Sequence, residues 1–120
     1  MRNFAIRDSV EVARSLGITI NTSKICGGGA KSSLWKRIFA NVLNCELESP
    51  MSEQVPGMGG AMLAMVACGE YPDVRSCCDK LCAVASTVKP APELVAKYEV
   101  RYQQFKKIYP AIKVLFPEIQ

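Results

Sequence analysis

Length, composition and charge exclude several classes of protein. The chain has 120 residues, 49% hydrophobic and 22% charged, which fits one globular domain and is too short for a two-domain enzyme. Its 15 basic and 11 acidic residues give a net charge of +4, but no run of Lys or Arg exceeds two. Basic and aromatic side chains do not interleave, so nucleic-acid binding is not expected. The longest apolar stretch, 58–68, is shorter than the about 18 residues of a membrane span, and residues 1–4 open no signal peptide. A cytoplasmic protein without membrane contact is therefore expected.

The six cysteines could be paired or free. They lie mostly in apolar or helical stretches, and no secretion signal precedes them, so buried reduced thiols are expected. The chain has no histidine, and Cys77-Cys78-x3-Cys82 has no second cysteine pair at zinc spacing. No metal site is predicted. The cysteines are Cys26, Cys45, Cys68, Cys77, Cys78 and Cys82.

The first half of the chain reads as helix, strand, glycine run and helix. The first helix carries apolar residues at helical spacing up to Leu16 and is closed by Gly17. No capping box precedes it, so we expect it to be cut from a longer chain. A β-rich run over 18–26 ends at three glycines. Ser32 or Ser33 then caps a second helix that ends at Asn44.

The second half alternates short strands with helices. A strand over 45–48 turns Leu47 inward, and 50–56 form a loop. The helix over 57–68 is apolar on every side and is expected to be buried on every side. A short helix opens at Asp73, a polar-alternating stretch covers 84–88, and a last helix presents one aromatic face until Pro110 kinks or ends it. This order of strands and helices predicts part of an α/β domain.

One segment, Gly27-Gly28-Gly29-Ala30-Lys31-Ser32-Ser33, has chemistry that the sequence specifies. Glycines let a backbone turn tightly and approach a ligand, and the helix N-terminus behind them offers N–H groups and partial positive charge to a phosphate. The segment matches neither the P-loop nor Gly-x-Gly-x-x-Gly. Its spacing therefore leaves a nucleotide site and a bare tight turn both open, and Lys31 could meet a phosphate or solvent.

Other candidates carry less chemistry. Glu46 and Glu48 alternate on a short strand and are expected to face solvent, with no sign of a buried acid–base pair. Without histidine, the usual Cys–His and Ser–His nucleophiles are unavailable. Trp35 is expected in the core, and the tyrosine face of the last helix in the core or an interface.

The stretch from Gly27 to Trp35 resembles the Gly-Gly-Gly-Ala-Arg/Lys-Ser-x-x-Trp signature of the xylulokinase type in the FGGY carbohydrate kinase family. Further resemblances follow in family order on either side of it. They are Phe4-Ala5-Ile6-Arg7-Asp8-Ser9, Pro56-Gly57-Met58-Gly59-Gly60-Ala61, Gly69-Glu70-Tyr71, and the last helix with Lys97-Tyr98, Arg101-Tyr102, Phe105 and Tyr109-Pro110.

The resemblance implies a fold and a site. The fold is a partial ribonuclease H-like domain of the actin and hexokinase ATPase type, helix-rich with a short few-stranded sheet. Residues 1–120 would be the C-terminal segment of the ATP-side domain, and ATP or ADP with Mg2+ the cofactor. The implied nucleotide-binding residues are Gly27, Gly28, Gly29, Ala30 and Ser33, with Gly28 and Gly29 contacting through backbone atoms. Ser33 stands where relatives often have Asn.

The resemblance also implies what this chain lacks. The catalytic aspartate, the sugar-binding residues and the first phosphate motif lie upstream of Met1, so the partner is the missing N-terminal lobe of the kinase. The expected reaction is phosphoryl transfer from ATP to D-xylulose, with the chain inactive alone. Glycerol, gluconate and ribulose stay open as substrates. So do a nucleotide-binding module without chemistry and a homo-oligomer formed through exposed edges and helix faces.

Overall fold

The computed structural model describes residues 2–51 and 55–118. Helices and short strands alternate along them. The helices are α1 (Arg2–Ser15), α2 (Ser33–Leu43), α3 (Val55–Ala67), α4 (Val74–Leu81), α5 (Pro92–Phe105) and α6 (Ile108–Lys113). The strands are β1 (Thr22–Lys24), β2 (Glu46–Pro50) and β3 (Val84–Val88), and 3-10 turns cover Gly28–Lys31 and Phe116–Glu118. No helix in this part of the chain has the length and apolar character needed to cross a bilayer.

The strands form a sheet of order β1-β2-β3. β1 runs parallel to β2, with Thr22 opposite Glu46 and Lys24 opposite Glu48, and α2 connects them. β3 pairs with β2 in the antiparallel sense. The β-rich run over 18–26 was expected to be longer than β1. Pairing with β2 limits the strand to Thr22–Lys24. Two further backbone bonds flank it, from Glu46 N to Asn21 O and from Ile25 N to Glu48 O, each at 2.9 Å.

The core lies between α2 and one face of the sheet. Ala40, Leu43, Cys45 and Leu47 form its buried centre. The inward orientation of Leu47 is confirmed, since only 2% of the residue is exposed. Around this centre pack Val10, Ile25, Phe39 and Val88.

Sequence signals set the ends of α1 and α2 as expected. Gly17, the second residue after the end of α1, has φ 84°. Asn44 closes α2 in the left-handed conformation, with its N–H bonded to Ala40 O. Gly and Asn adopt this conformation at low cost, which is why they end helices.

The aromatic face of the last helix packs on α1, but it does not continue through Pro110. Phe4 contacts Tyr98, Tyr102 and Phe105, with ring centroids 5.5–6.4 Å apart. The helix is interrupted between α5 and α6, ahead of Pro110, which lies in the first turn of α6. A proline has no N–H to bond the carbonyl four residues back, so the interruption falls one turn before it.

The prediction that the apolar helix is buried on every side is wrong. Leu63 of α3 is 61% exposed, and Gly60, Ala61 and Ala64 are exposed as well. Within the described residues α3 packs against α4. An apolar sequence indicates that burial of the helix is favourable. The surface that covers the helix has to come from other elements, and here α4 covers one side.

The loop expected over 50–56 is shorter than predicted. Pro50 pairs with Val84 in the sheet, and Val55 already begins α3. Residues 52–54 lie outside the described part of the chain.

Candidate functional site

The glycine loop, residues 27–31, lies between the end of β1 and the start of α2. Because β1 and β2 are parallel, the loop stands at the edge of the sheet where both strands end. Ligands of open α/β sheets bind outside the carboxyl ends of parallel strands. The fold therefore places the loop at the edge where a ligand is expected.

A tight turn shapes the loop, as the glycines predicted. Gly27 has φ 83° and ψ −172°, a conformation that residues with a Cβ rarely adopt. Gly28–Lys31 then form a 3-10 turn, in which Ala30 N donates to Gly27 O at 3.0 Å. The turn interpretation is thus confirmed, and it is compatible with a ligand on the same backbone.

Gly28 and Gly29 have different surroundings, although they are neighbours in the turn. A Cβ placed on Gly29 would lie 2.8 Å from Trp35 Cδ1 and 2.9 Å from Trp35 Nε1. A Cβ placed on Gly28 would meet no atom within 4 Å. The packing of Trp35 thus accounts for glycine at position 29. Within residues 2–51 and 55–118, neither a steric contact nor a positive φ accounts for glycine at position 28.

Trp35 packs closer to the loop than the sequence indicated. Its ring lies against Gly29 and makes an edge contact with Phe39, with centroids 5.6 Å apart. The side chain is half-buried, so it borders the core instead of filling it. The spacing of six residues between a glycine of the turn and the tryptophan was the available signal for this contact.

The N-terminus of α2 is capped by Ser32 and not by Ser33. Ser32 Oγ accepts a hydrogen bond from Trp35 N at 3.2 Å. Ser33 is the first residue of α2 and is exposed. In the part of the chain that the structure describes, the N–H groups of Gly28 and Gly29 donate to no backbone carbonyl. These N–H groups, with the positive end of α2 behind them, can donate hydrogen bonds to a phosphate or to a polar edge of a nucleotide.

Of the remaining charged candidates, Lys31 lies on the loop itself, whereas Glu46 and Lys36 make their contacts elsewhere. The Glu46 carboxylate lies 3.6 Å from Lys89 Nζ. Lys36 of α2 donates to Ser49 Oγ at 3.2 Å and Ser86 Oγ at 3.3 Å, which ties the helix to the sheet. Lys31 is exposed at the end of the turn. No carboxylate pair suited to acid–base chemistry forms from Glu46 and Glu48.

The structure also locates the cysteines and the polar groups that could hold a metal. All six cysteines are free thiols; Cys45 and Cys77 are buried, whereas Cys26 and Cys68 are exposed. Burial raises the pKa of the Cys45 thiol, and nearby Arg14 opposes the shift. Across residues 2–51 and 55–118, no three His, Cys, Asp or Glu side chains gather as a metal site. The described residues therefore do not fit a Mg2+ ligand set, and we assign them none.

A small cavity of about 100 Å3 lies beside the glycine loop, and sequence reasoning did not anticipate it. Cys26, the residue before Gly27, lines it together with Pro50 at the end of β2. Met58 and Met62 of α3 and Cys82 after α4 close the other side. The cavity shows that α3 and the end of α4 approach the same edge of the sheet as the loop.

Comparisons with known proteins agree with this fold. The model of the FGGY family of carbohydrate kinases, C-terminal domain, matches residues 3–68. The chain is 31% identical to a xylulose kinase of Bacillus subtilis over 93% of this chain and 22% of that protein. It is 35% identical to a ribulokinase of Halalkalibacterium halodurans over 88% of this chain and 20% of that protein.

A solved xylulose kinase structure from Brucella ovis superposes with a TM-score of 0.82 and 30% identity, over 94% of this chain and 23% of that chain. The expected partial domain of the actin and hexokinase ATPase type, helix-rich with a small sheet, is confirmed. The chain spans about a fifth of the length of the relatives it matches. The family model covers nearly all of α1 together with the glycine loop, α2 and the whole of α3. The chain therefore belongs to the FGGY family of carbohydrate kinases, in the part that forms their C-terminal domain.

Proposed function

We propose that this chain supplies part of the nucleotide-binding lobe of an ATP-dependent sugar kinase, and that its glycine loop receives the adenine nucleotide. Backbone atoms of Gly28 and Gly29 contact the ligand in this proposal, with Gly27 and Ala30 shaping the turn. Ser33, exposed at the first position of α2, offers a hydroxyl beside it.

Gly28 is the observation that carries the proposal. Alanine would fit at this position without a clash, because among the described residues no atom beyond the two chain neighbours of Gly28 lies within 4 Å of the added carbon. The structure explains glycine at the two neighbouring positions. Gly27 has a positive φ, and a Cβ on Gly29 would clash with the Trp35 ring. Glycine at an exposed position where alanine would also fit suits a ligand that approaches the backbone more closely than a side chain would allow.

The chemistry proposed for the whole kinase is transfer of the γ-phosphoryl group of Mg-ATP to a hydroxyl of D-xylulose. Such transfer depends on positioning the base, the metal and the phosphates together, and this chain provides one side of that arrangement. The names of the relatives favour xylulose or ribulose, and gluconate and glycerol are the other sugars and polyols to compare. The setting we propose is the cytoplasm.

The exposed surfaces of the chain favour the rest of the kinase as its partner. Leu63 on α3 is 61% exposed, and β1 and β3 lie at the two edges of the sheet. Apolar helix faces and unpaired strand edges attract covering surfaces. Self-association through the same surfaces is the alternative, and light scattering of the purified chain distinguishes a homo-oligomer from a monomer.

An ADP titration tests the nucleotide assignment. Gly28→Val should abolish or strongly weaken ADP binding while the fold stays intact, because the valine occupies open space above the turn. Ala5→Val, at an exposed position of α1, is the matched control and should bind ADP as the wild type does. Equal ADP affinities of the wild type and Gly28→Val would discard the loop assignment.

A chimera tests the same site in a complete enzyme. This chain replaces the corresponding segment of the Bacillus subtilis xylulose kinase, and the KM values for ATP and for D-xylulose are measured separately. Gly28→Val should raise the KM for ATP and leave the KM for D-xylulose unchanged. The isolated chain should show no kinase activity, and phosphorylation of D-xylulose by it would contradict the proposal.

A further inference from the structure

Three sulfur atoms from two helices meet at the edge of the cavity beside the glycine loop. The thiols of Cys78 and Cys82 both point at the thioether of Met62, with Sγ–Sδ distances of 3.7 Å and 4.0 Å. Cys78 lies in α4, Cys82 is its C-cap residue, and Met62 lies in α3. The cluster therefore bridges the two helices.

Helix geometry explains why the two thiols face the same way. Residues four apart lie on one face of a helix, and the Cys82 N–H bonds to the Cys78 carbonyl at 2.8 Å, which keeps that spacing to the end of α4. The packing of α3 on α4 then brings Met62 opposite both. All three residues are only partly buried.

We propose that Met62, Cys78 and Cys82 form a binding site for Cu(I). Two thiolates and a thioether are soft ligands, the class that Cu(I) favours. A metal–sulfur bond of about 2.3 Å in a trigonal arrangement separates the sulfur atoms by about 4 Å. The Cys78–Met62 and Cys82–Met62 sulfur distances of 3.7 Å and 4.0 Å match this separation.

The ligand types argue against zinc at this site. Structural zinc takes four ligands from Cys, His, Asp and Glu, and a methionine thioether is not among them. No group of three such side chains gathers within residues 2–51 and 55–118. Cu(I), in contrast, is satisfied by the three sulfur atoms present.

The protons and charges of the site balance. In the metal-free chain the Cys78 and Cys82 thiols each donate a hydrogen bond to the Met62 sulfur. Cu(I) replaces these two protons, which pass to solvent, and no electron is transferred. The resulting site has one net negative charge, and the Lys24 side chain lines the adjoining cavity.

Competition for Cu(I) tests the proposal on the 120-residue chain. Cu(I) is supplied under anaerobic conditions with excess glutathione, and the chain competes with bicinchoninate, a chromogenic Cu(I) chelator. The wild type should hold one Cu(I) per chain, with sulfur scatterers at about 2.3 Å in X-ray absorption. Cys78→Ser/Cys82→Ser should weaken binding by about 100-fold and Met62→Leu by about 10-fold, magnitudes typical of damage to a metal site.

Matched variants separate this site from other thiols. Cys68→Ser removes an exposed thiol outside the cluster and should bind Cu(I) as the wild type does. Serine and leucine keep the volumes of the replaced side chains, and far-UV circular dichroism confirms that each variant is folded. Equal retention of Cu(I) by the wild type and the double cysteine variant would overturn the proposal. So would preferential retention of Zn(II) by the wild type.

Discussion

Gly28 and Gly29 should respond differently to the same substitution by alanine. The two glycines are consecutive in one 3-10 turn, so alanine changes their backbone freedom alike. At Gly28 the added carbon meets no atom within 4 Å, whereas at Gly29 it lies 2.8 Å from Trp35 Cδ1. The difference in stability between the two variants therefore measures how tightly the Trp35 ring is held against the turn.

The magnitude follows from the overlap. Carbon atoms in contact lie about 3.5–4.0 Å apart, so the Gly29→Ala methyl overlaps the ring by roughly 0.7 Å or more. The ring can move away and weaken its contact with Phe39, an aromatic pair worth about 0.5–1.5 kcal/mol. Alternatively the turn shifts, and such overpacking costs about 1–3 kcal/mol. We expect Gly29→Ala to lose about 1–2 kcal/mol of unfolding free energy, and Gly28→Ala to lose none or gain about 0.4–1 kcal/mol from a less flexible unfolded chain.

Urea unfolding monitored by tryptophan fluorescence measures both effects in one experiment. Trp35 is the only tryptophan, so its emission reports the ring that the substitution displaces. Gly29→Ala should shift the emission of the native state and lower the urea midpoint. Gly28→Ala should leave the emission unchanged and should not lower the midpoint. Equal stability of the two variants, with unchanged emission, would refute the packing reason for Gly29. A larger loss for Gly28→Ala would refute the inference that position 28 is open.

Two further predictions concern polar groups that join helices. Asn41 Oδ1 accepts from Ala91 N at 2.7 Å, so Asn41→Ala should lower the urea-unfolding free energy by about 1–2 kcal/mol, whereas Asn21→Ala, at an exposed site, should not. The pKa of Tyr102 is raised from 10.0 to about 12, first by burial and then by its hydrogen bond to Asp8. This contribution to stability is complete below pH 10 and is lost as the pH rises through the folded pKa of about 12. The advantage of the wild type over Tyr102→Phe should therefore shrink by about 1.4 kcal/mol per pH unit between pH 10 and about 12.

Each of these has a clear contrary result. If Asn41→Ala is as stable as the wild type, the Ala91 N–H must bond to water in the variant without loss of unfolding free energy. A stability difference between the wild type and Tyr102→Phe that is the same at pH 9 and pH 11 would show that the tyrosine hydroxyl titrates alike in the folded and unfolded chain.

Local signals in the sequence determined the ends of elements and the turn. Ser32 begins α2 because its hydroxyl bonds an N–H that the helix leaves unpaired, and Asn44 ends it because it tolerates the left-handed conformation. Three consecutive glycines at the end of a β-rich run predicted the tight turn at Gly27, because glycine tolerates a positive φ. These outcomes depend on residues within a few positions of one another, so the sequence alone could predict them.

Only the tertiary structure decided which surfaces are covered and which side chains meet. The apolar composition of α3 predicted burial, yet Leu63 is 61% exposed because coverage depends on what packs against the helix. The spacing of Cys78 and Cys82 was visible in the sequence, but Met62 joins them only through the packing of α3 on α4. The clash that separates Gly29 from Gly28 depends on the position of the Trp35 ring. Contacts between distant residues come from the packing of whole elements, and local periodicity carries no information about that.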